Sequence, residues 1–194
     1  FTEQDYMTRW TKLGYQEIYF LKKVNHPNIV THFDHVWLHS SKMERSYLAI
    51  KTEYLEKTLY DFLALEGGSS AMQQVEVFDR LFDHILGAVA FLHRQGIVHH
   101  DLKSANIMLT RVRQTKDLVE RVIWKIIDFG LAQKQDSQNP KCRFFAGTRR
   151  FFCPEKEFRR TFDPFLADAY AIAMVLWEAL LGNNKVFNRG EAWQ

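Results

Sequence analysis

Cysteine is nearly absent from this sequence: of 194 residues only Cys142 and Cys153 carry thiols. Two such residues make neither a metal-ligand spacing nor a disulfide framework, so they read as free thiols in a reducing, intracellular (cytoplasmic) compartment. Charge of one sign is also scarce. A formal net charge of +3 is too small to imply nucleic acid or a membrane surface as a partner. No apolar run approaches the roughly 20 residues a membrane span needs, and Phe1-Thr2-Glu3-Gln4-Asp5 is no signal peptide. The initiator Met is missing, which reads as a fragment or a processed chain, and no internal repeat is visible. What remains is ordinary: 46% hydrophobic and 25% charged residues describe a soluble globular chain able to bury a core.

The chemistry-bearing residues fall in ordered motifs. Residues 97–109 read Ile-Val-His-His-Asp-Leu-Lys-Ser-Ala-Asn-Ile-Met-Leu. Apolar residues lead in and out as short strands, and the polar residues between them form a loop. The stretch resembles the catalytic loop of protein kinases, H-R-D-L-K-x-x-N. A merely polar surface loop would not be followed by Ile126-Ile127-Asp128-Phe129-Gly130, which matches the kinase D-F-G, nor by Gly147-Thr148 and Cys153-Pro154-Glu155. Those last two are similar to the end of an activation segment, with Cys in place of Ala. Phosphoryl transfer asks the protein for positioning and charge stabilisation more than for covalent chemistry. The resemblance therefore implies Asp101 as the base that orients the attacking hydroxyl, Lys103 as the balancing charge, and Thr148 as their brace. It implies Asn106 and Asp128 as hard oxygen ligands for Mg2+.

The rest of the chain extends the resemblance. Tyr15, Ile18, Leu21 and Val24 recur at helical spacing, and Pro27 in His26-Pro27-Asn28-Ile29-Val30 ends the run. This is similar to the family's helix C and the turn after it. Glu17 then stands where the family has the glutamate that pairs with a strand-borne lysine; on its own it reads as a solvated Glu on an amphipathic helix, and the match of the flanking turn reverses that reading. The glycine-rich strand pair and that lysine are not found before Glu17, where Gly14 is the one glycine and Lys12 lies too close to the helix. Tyr47-Leu48-Ala49-Ile50-Lys51 spells a tempting A-I-K but follows the helix, and resembles instead the strand leading to the hinge. Thr52 becomes the gatekeeper, the backbones of Glu53 and Leu55 the adenine contacts, and Met108 the floor of the ATP site.

His39–Ser46 reads as a polar hairpin loop, Thr58-Leu59-Tyr60-Asp61 as a capping box, and residues 66–70 as a flexible linker. Gln73–Gln95 has one apolar stripe and a Gly96 stop. Residues 110–121 read as a long exposed loop, and Val122–Ile127 as a buried strand. Gln133–Phe145 is expected to be mobile, with Ser137 its sole conventional phosphosite. Ala167–Leu181 is apolar nearly all round, which predicts burial on every side. Within the resemblance His99 is a packing residue beneath Phe129, held by Asp168 and completed by Leu21 and His32. Where the family usually has Arg, this sequence has His100, which cannot make a bidentate, permanently charged contact to phosphate. That predicts weak dependence on activation-segment phosphorylation; neutral drift is the competing reading. Arg149 and Arg150 lie where the family reads the residue after the phosphoacceptor, which hints at acidic peptides.

The resemblance implies an α+β, protein-kinase-like two-lobed fold, truncated at both ends. Residues 1–52 would be a partial small β lobe, 53–57 the hinge, and 58–194 a partial, mainly helical large lobe. Glu155 would lack its family Arg partner, leaving exposed apolar surface and a marginal fold. The function implied is a Ser/Thr protein kinase of tyrosine-kinase-like flavour using ATP and Mg2+ on a protein substrate, weakly active or inactive as this piece. Any regulatory partner is unspecified. The alternative is a pseudokinase that binds or scaffolds.

Overall fold

The structure, a computed structural model, describes residues 3–42, 44–66, 71–113 and 120–181. The chain opens with α1 (Glu3–Leu21), which begins well upstream of the expected Tyr15 and runs straight through Gly14. A helical glycine costs about 1 kcal/mol relative to Ala. Here it permits close approach, because a Cβ at Gly14 would sit 3.0 Å from Leu48 Cδ2. Ile18, Phe20 and Leu21 form the buried face. The helical bonding fades at Val24, whose N–H reaches the Phe20 carbonyl at 3.1 Å.

β1 (His32–Ser40) and β2 (Arg45–Thr52) pair antiparallel from His32↔Thr52 to Ser40↔Arg45, with an irregularity between His32 and Asp34. The ladder takes in half of the polar stretch read as a loop, His39 and Ser40 on one strand and Arg45 and Ser46 on the other. Lys51, the A-I-K decoy, is exposed on β2. Beyond the hinge, β3 (Lys57–Thr58) leads into α2 (Leu59–Glu66). Thr58 Oγ1 accepts the Asp61 N–H at 3.0 Å and donates to Asp61 Oδ2 at 2.6 Å, the capping arrangement that the sequence predicts.

α3 (Ala71–Arg94) buries Leu81, Ile85, Ala88, Val89 and Leu92. Gly96 then stops it with φ +63°. The linker at 67–70 and the side chains of Val77 and Phe78 lie outside the described residues. β4 (Ile97–Val98) pairs with β7 (Gln133–Lys134), while β5 (Ile107–Arg113) and β6 (Glu120–Ile126) complete a three-stranded sheet of order β3-β5-β6. Half of the long loop expected at 110–121 is therefore ladder, continuing to Arg113↔Glu120, and residues 114–119 lie outside the described residues. Polar side chains do not prevent strand pairing where they face solvent, and the bonds are made by backbone. The turn after α1 docks on β6: the Ile126 N–H donates to the Asn28 carbonyl (2.9 Å), and the Val30 N–H to the Ile126 carbonyl (3.0 Å).

α4 (Pro154–Glu157) is a single turn. α5 (Pro164–Leu181) starts earlier than its apolar run suggests, with Pro in the first turn and Asp163 Oδ1 accepting the Phe165 N–H at 2.8 Å. Its composition predicts burial all round; the structure buries one face only. Ala167, Ala171, Ile172, Val175 and Ala179 point inward, while Leu166 (67%), Trp177 (54%) and Leu180 (61%) are exposed. Glu155 is exposed as well. One apolar core joins α1, β5, β6, α3 and α5 through Leu21, Leu109, Trp124, Leu92 and Val175.

Candidate active site

Asp168 of α5 organises the loop after β4. Its Oδ2 accepts the His99 N–H (2.8 Å) and its Oδ1 the His100 N–H (3.0 Å), and His93 Nε2 approaches Oδ2 at 3.2 Å. His100 is held at φ +68°, a left-handed conformation that a non-glycine residue adopts only when its surroundings impose it. Burial alone would raise the Asp168 carboxyl. The His93 hydrogen bond, the His99 ring and the His99 N–H outweigh burial and hold it below the ordinary range. The His99 ring is fully buried, edge-on to Phe129 at 5.0 Å. Its Nδ1 accepts the Asp101 N–H (3.3 Å), so Nε2 carries the proton and donates to the Ile127 carbonyl (3.0 Å). Leu21 belongs to the same core as Phe129, whereas the His32 ring lies against His35 at 5.7 Å.

Asp101 is gripped from three sides. Lys103 Nζ donates to Oδ2 at 2.8 Å, the Thr148 N–H to Oδ1 at 2.8 Å, and Asn106 Nδ2 to the Asp101 carbonyl at 2.9 Å. Lys103 Nζ also donates to Thr148 Oγ1 at 3.1 Å. With its amide nitrogen committed, Asn106 has Oδ1 as its remaining ligand atom. Asp128, at φ +63°, accepts the Gly130 N–H on Oδ1 at 3.2 Å, which leaves Oδ2. Gly147, at φ +115°, is required where it stands: a Cβ there would lie 2.7 Å from the His100 carbonyl oxygen.

A cavity of about 770 Å³ brings together Glu17, Asp101, Lys103, Asp128 and Gly130 beneath an apolar wall of Leu13, Leu48 and Ile50. Asn106, Thr148, Thr52, Glu53, Leu55 and Met108 do not line it. The two aspartates thus face one space. The Glu17 carboxyl is pushed up to about 7, first by burial and then by the charge of Asp128, against a hydrogen bond from the Phe129 backbone.

At the hinge, Thr52 Oγ1 donates to the Glu53 carbonyl (3.2 Å) and the Glu53 N–H to the Thr31 carbonyl (3.0 Å). The Glu53 side chain accepts both Lys125 Nζ (2.8 Å) and the Thr31 N–H (2.7 Å). Burial raises the Glu53 carboxyl, but these bonds bring it below its usual range. Met108 packs against the core. Sequence reading missed Lys125: it lies far from Glu53 along the chain, and no periodicity marks it.

Three cations and a ring stand apart. Lys156 is buried and donates to the His100 carbonyl at 3.2 Å; burial lowers its pKa despite Asp168 and Asp101. The His100 ring is buried against Phe144 at 5.0 Å with neither nitrogen partnered among the described residues, and burial pushes it down to about 4. Arg149 is ion-paired with Glu157, and Arg150 with Glu178.

Among the described residues no three His, Cys, Asp or Glu side chains converge as a self-sufficient metal site. The donor set nevertheless suits Mg2+, a hard ion that takes one or two protein oxygens and completes its shell with water and phosphate. Asn106 Oδ1 and Asp128 Oδ2 are such oxygens.

Comparison with known proteins supplies the family context. The protein kinase domain model matches residues 2–193. Serine/threonine-protein kinase STY17 of Arabidopsis thaliana is 29% identical over 168 residues, which are 86% of this chain and 26% of that protein. A probable serine/threonine-protein kinase of Dictyostelium discoideum is 32% identical, covering 84% of this chain and 28% of its own length. CBL-interacting protein kinase 25 of Oryza sativa subsp. japonica is 28% identical, with 89% and 31% covered. The chain thus spans about a quarter to a third of the length of these curated relatives.

Proposed function

The chain belongs to the protein kinase family, and from that premise we propose that the parent protein is a Ser/Thr kinase moving the γ-phosphoryl group of ATP to a protein hydroxyl. The observation that carries this reading is the single cavity shared by Asp101, Lys103 and Asp128. Asp101 Oδ2 accepts the proton of the attacking hydroxyl and fixes its line of approach. Lys103, already held by Asp101 and Thr148, sets an ammonium beside the transferring group. Asn106 and Asp128 hold the Mg2+, which when bound neutralises charge on the phosphates. Thr148 braces Asp101 and Lys103, and with the relatives' printed names it supports Ser/Thr rather than Tyr as acceptor. Thr52, Glu53, Leu55 and Met108 form the adenine end, and Glu17 the anchor for a lysine. Residues 1–52 serve as small-lobe elements, 53–57 as hinge and 58–194 as large-lobe elements. Buried free thiols support an intracellular setting, and no described helix is long and apolar enough to cross a membrane.

One observation favours the second reading, a non-catalytic scaffold: among the described residues no cation pairs with Glu17. Phosphate transfer from Mg-ATP to a generic protein, by the full-length parent, separates the two. Transfer that falls about 10²–10⁴-fold in Asp101→Asn and is lost in Asp128→Ala supports the kinase. Nucleotide binding without any transfer by the wild type supports the scaffold.

A further inference from the structure

Glu178 is a charge that the proposed chemistry leaves unused. Its α5 side chain is fully buried (0% exposed), and its carboxylate accepts no hydrogen bond from the described residues. Its compensation is Arg150, whose Nη2 lies 3.0 Å from Glu178 Oε1. A buried carboxylate without counter-charge is strongly unfavourable, so removing one partner is far worse than removing both. Arg150 is therefore held wherever α5 places Glu178.

Arg150 is the middle residue of the 3-10 turn Arg149–Phe151. Bonds from the Phe151 N–H to the Thr148 carbonyl (3.0 Å) and from the Phe152 N–H to the Arg149 carbonyl (3.0 Å) close that turn. Phe151 enters the same core as Ala171 and Val175 of α5 and anchors the apolar side. Directly ahead stands Thr148, which gives its N–H to Asp101 Oδ1 and its hydroxyl oxygen to Lys103. Gly147 leaves little room on the other side, since a Cβ there would lie 2.7 Å from the His100 carbonyl oxygen.

We propose that Arg150 is a positioning residue for Asp101 and Lys103: its ion pair with Glu178 fixes, from α5, the turn that presents Thr148 to both. The catalytic consequence rests on the kinase reading. The pair engages Arg150, whose side chain is 34% exposed, so that of the two arginines Arg149, at 79%, is the more open to solvent.

The test measures hydrogen exchange at the Thr148 amide in the full-length parent, alongside steady-state transfer from Mg-ATP to a generic protein. Arg150→Ala is expected to speed Thr148 exchange about tenfold or more while α3 amides stay unchanged. It should lower kcat about tenfold and leave KM for ATP within about twofold. Arg150→Lys and the charge reversal Arg150→Glu/Glu178→Arg should recover most of both effects. If Arg150→Ala fails to fold, Arg150→Met/Glu178→Leu carries the test, because an apolar pair tolerates burial; it too should show fast Thr148 exchange. A folded variant lacking the ion pair whose Thr148 amide exchanges as slowly as wild type overturns the proposal. Fast exchange in the variants of a wild type that transfers no phosphate keeps the positioning role and removes the kinase reading. Transfer with unchanged exchange does the reverse.

Discussion

His100 shows how one side chain can replace a charge by packing. A guanidinium at this position would need a phosphate or solvent to satisfy its five donors. The imidazole is instead buried against Phe144, and the Lys156 ammonium beneath it holds the backbone carbonyl at 3.2 Å. The segment that carries Phe144 is tied to the loop by a ring contact that needs no modification. Treatment of the full-length protein with phosphatase should therefore leave transfer within about threefold of the untreated rate, since a lost Arg–phosphate contact would cost far more. Near-total loss would show that Ser137, or a site elsewhere, controls the segment. At this scale the sequence was most legible. Of the motif residues Asp101, Lys103, Asn106 and Asp128, the structure lines one cavity with the two aspartates and Lys103, and leaves Asn106 outside it. Arg150–Glu178 and Glu53–Lys125 were not legible: each joins residues distant in sequence, and no local pattern announces a partner.

Elements were legible where hydrogen bonding is local and less so where it is not. The Thr58–Asp61 cap and the Gly96 stop follow from neighbours a few residues away. The strand character of Thr110–Arg113 depends on β6 and was hidden behind polar side chains. α5 misled in the opposite sense, because apolar composition reports what a face tolerates and not what covers it. Two predictions belong here. Gly147→Ala puts a Cβ 2.7 Å from a backbone oxygen at φ +115°. It should cost roughly 1–3 kcal/mol in urea unfolding and lower transfer, because the turn that carries Thr148 must move. The hinge latch is the second. Lys125 is buried at 8% exposure, and Glu53 binds it and the Thr31 N–H through one oxygen. Lys125→Met should cost about 1–3 kcal/mol, below the range of a wholly buried pair because Glu53 is partly solvated. Adding Glu53→Gln should recover part of that loss, since the amide oxygen still accepts from Thr31 and no unpaired charge remains.

On the scale of the whole molecule, two buried titrations oppose each other. His100 falls from 6.5 to about 4 on folding. Between those values the unfolded chain binds the extra proton, so stability from this group is complete above pH 6.5 and is lost as pH falls toward 4. Glu17 rises from 4.5 to about 7. Between those values the folded chain binds the extra proton, so its contribution is complete below pH 4.5 and is lost as pH rises through 7. Each shift corresponds to on the order of 3 kcal/mol, and from pH 4.5 to 6.5 the two slopes nearly cancel. Glu53 and Asp168, held low, and His26, His32 and His84, lowered by burial, all add stability with rising pH in both wild type and variants. Differences from wild type therefore isolate the opposed pair. Glu17→Gln, which can still accept the Phe129 N–H, should become more stable than wild type as pH rises from 4.5 to 7. His100→Phe, which keeps a ring against Phe144, should gain relative to wild type as pH falls from 6.5 to 4. The double variant should run parallel to wild type from pH 4.5 to 6.5. Thermal or urea unfolding at half-unit steps checks all three curves. Single-variant curves parallel to wild type would mean that Glu17 and His100 titrate in the folded protein as they do in the open chain.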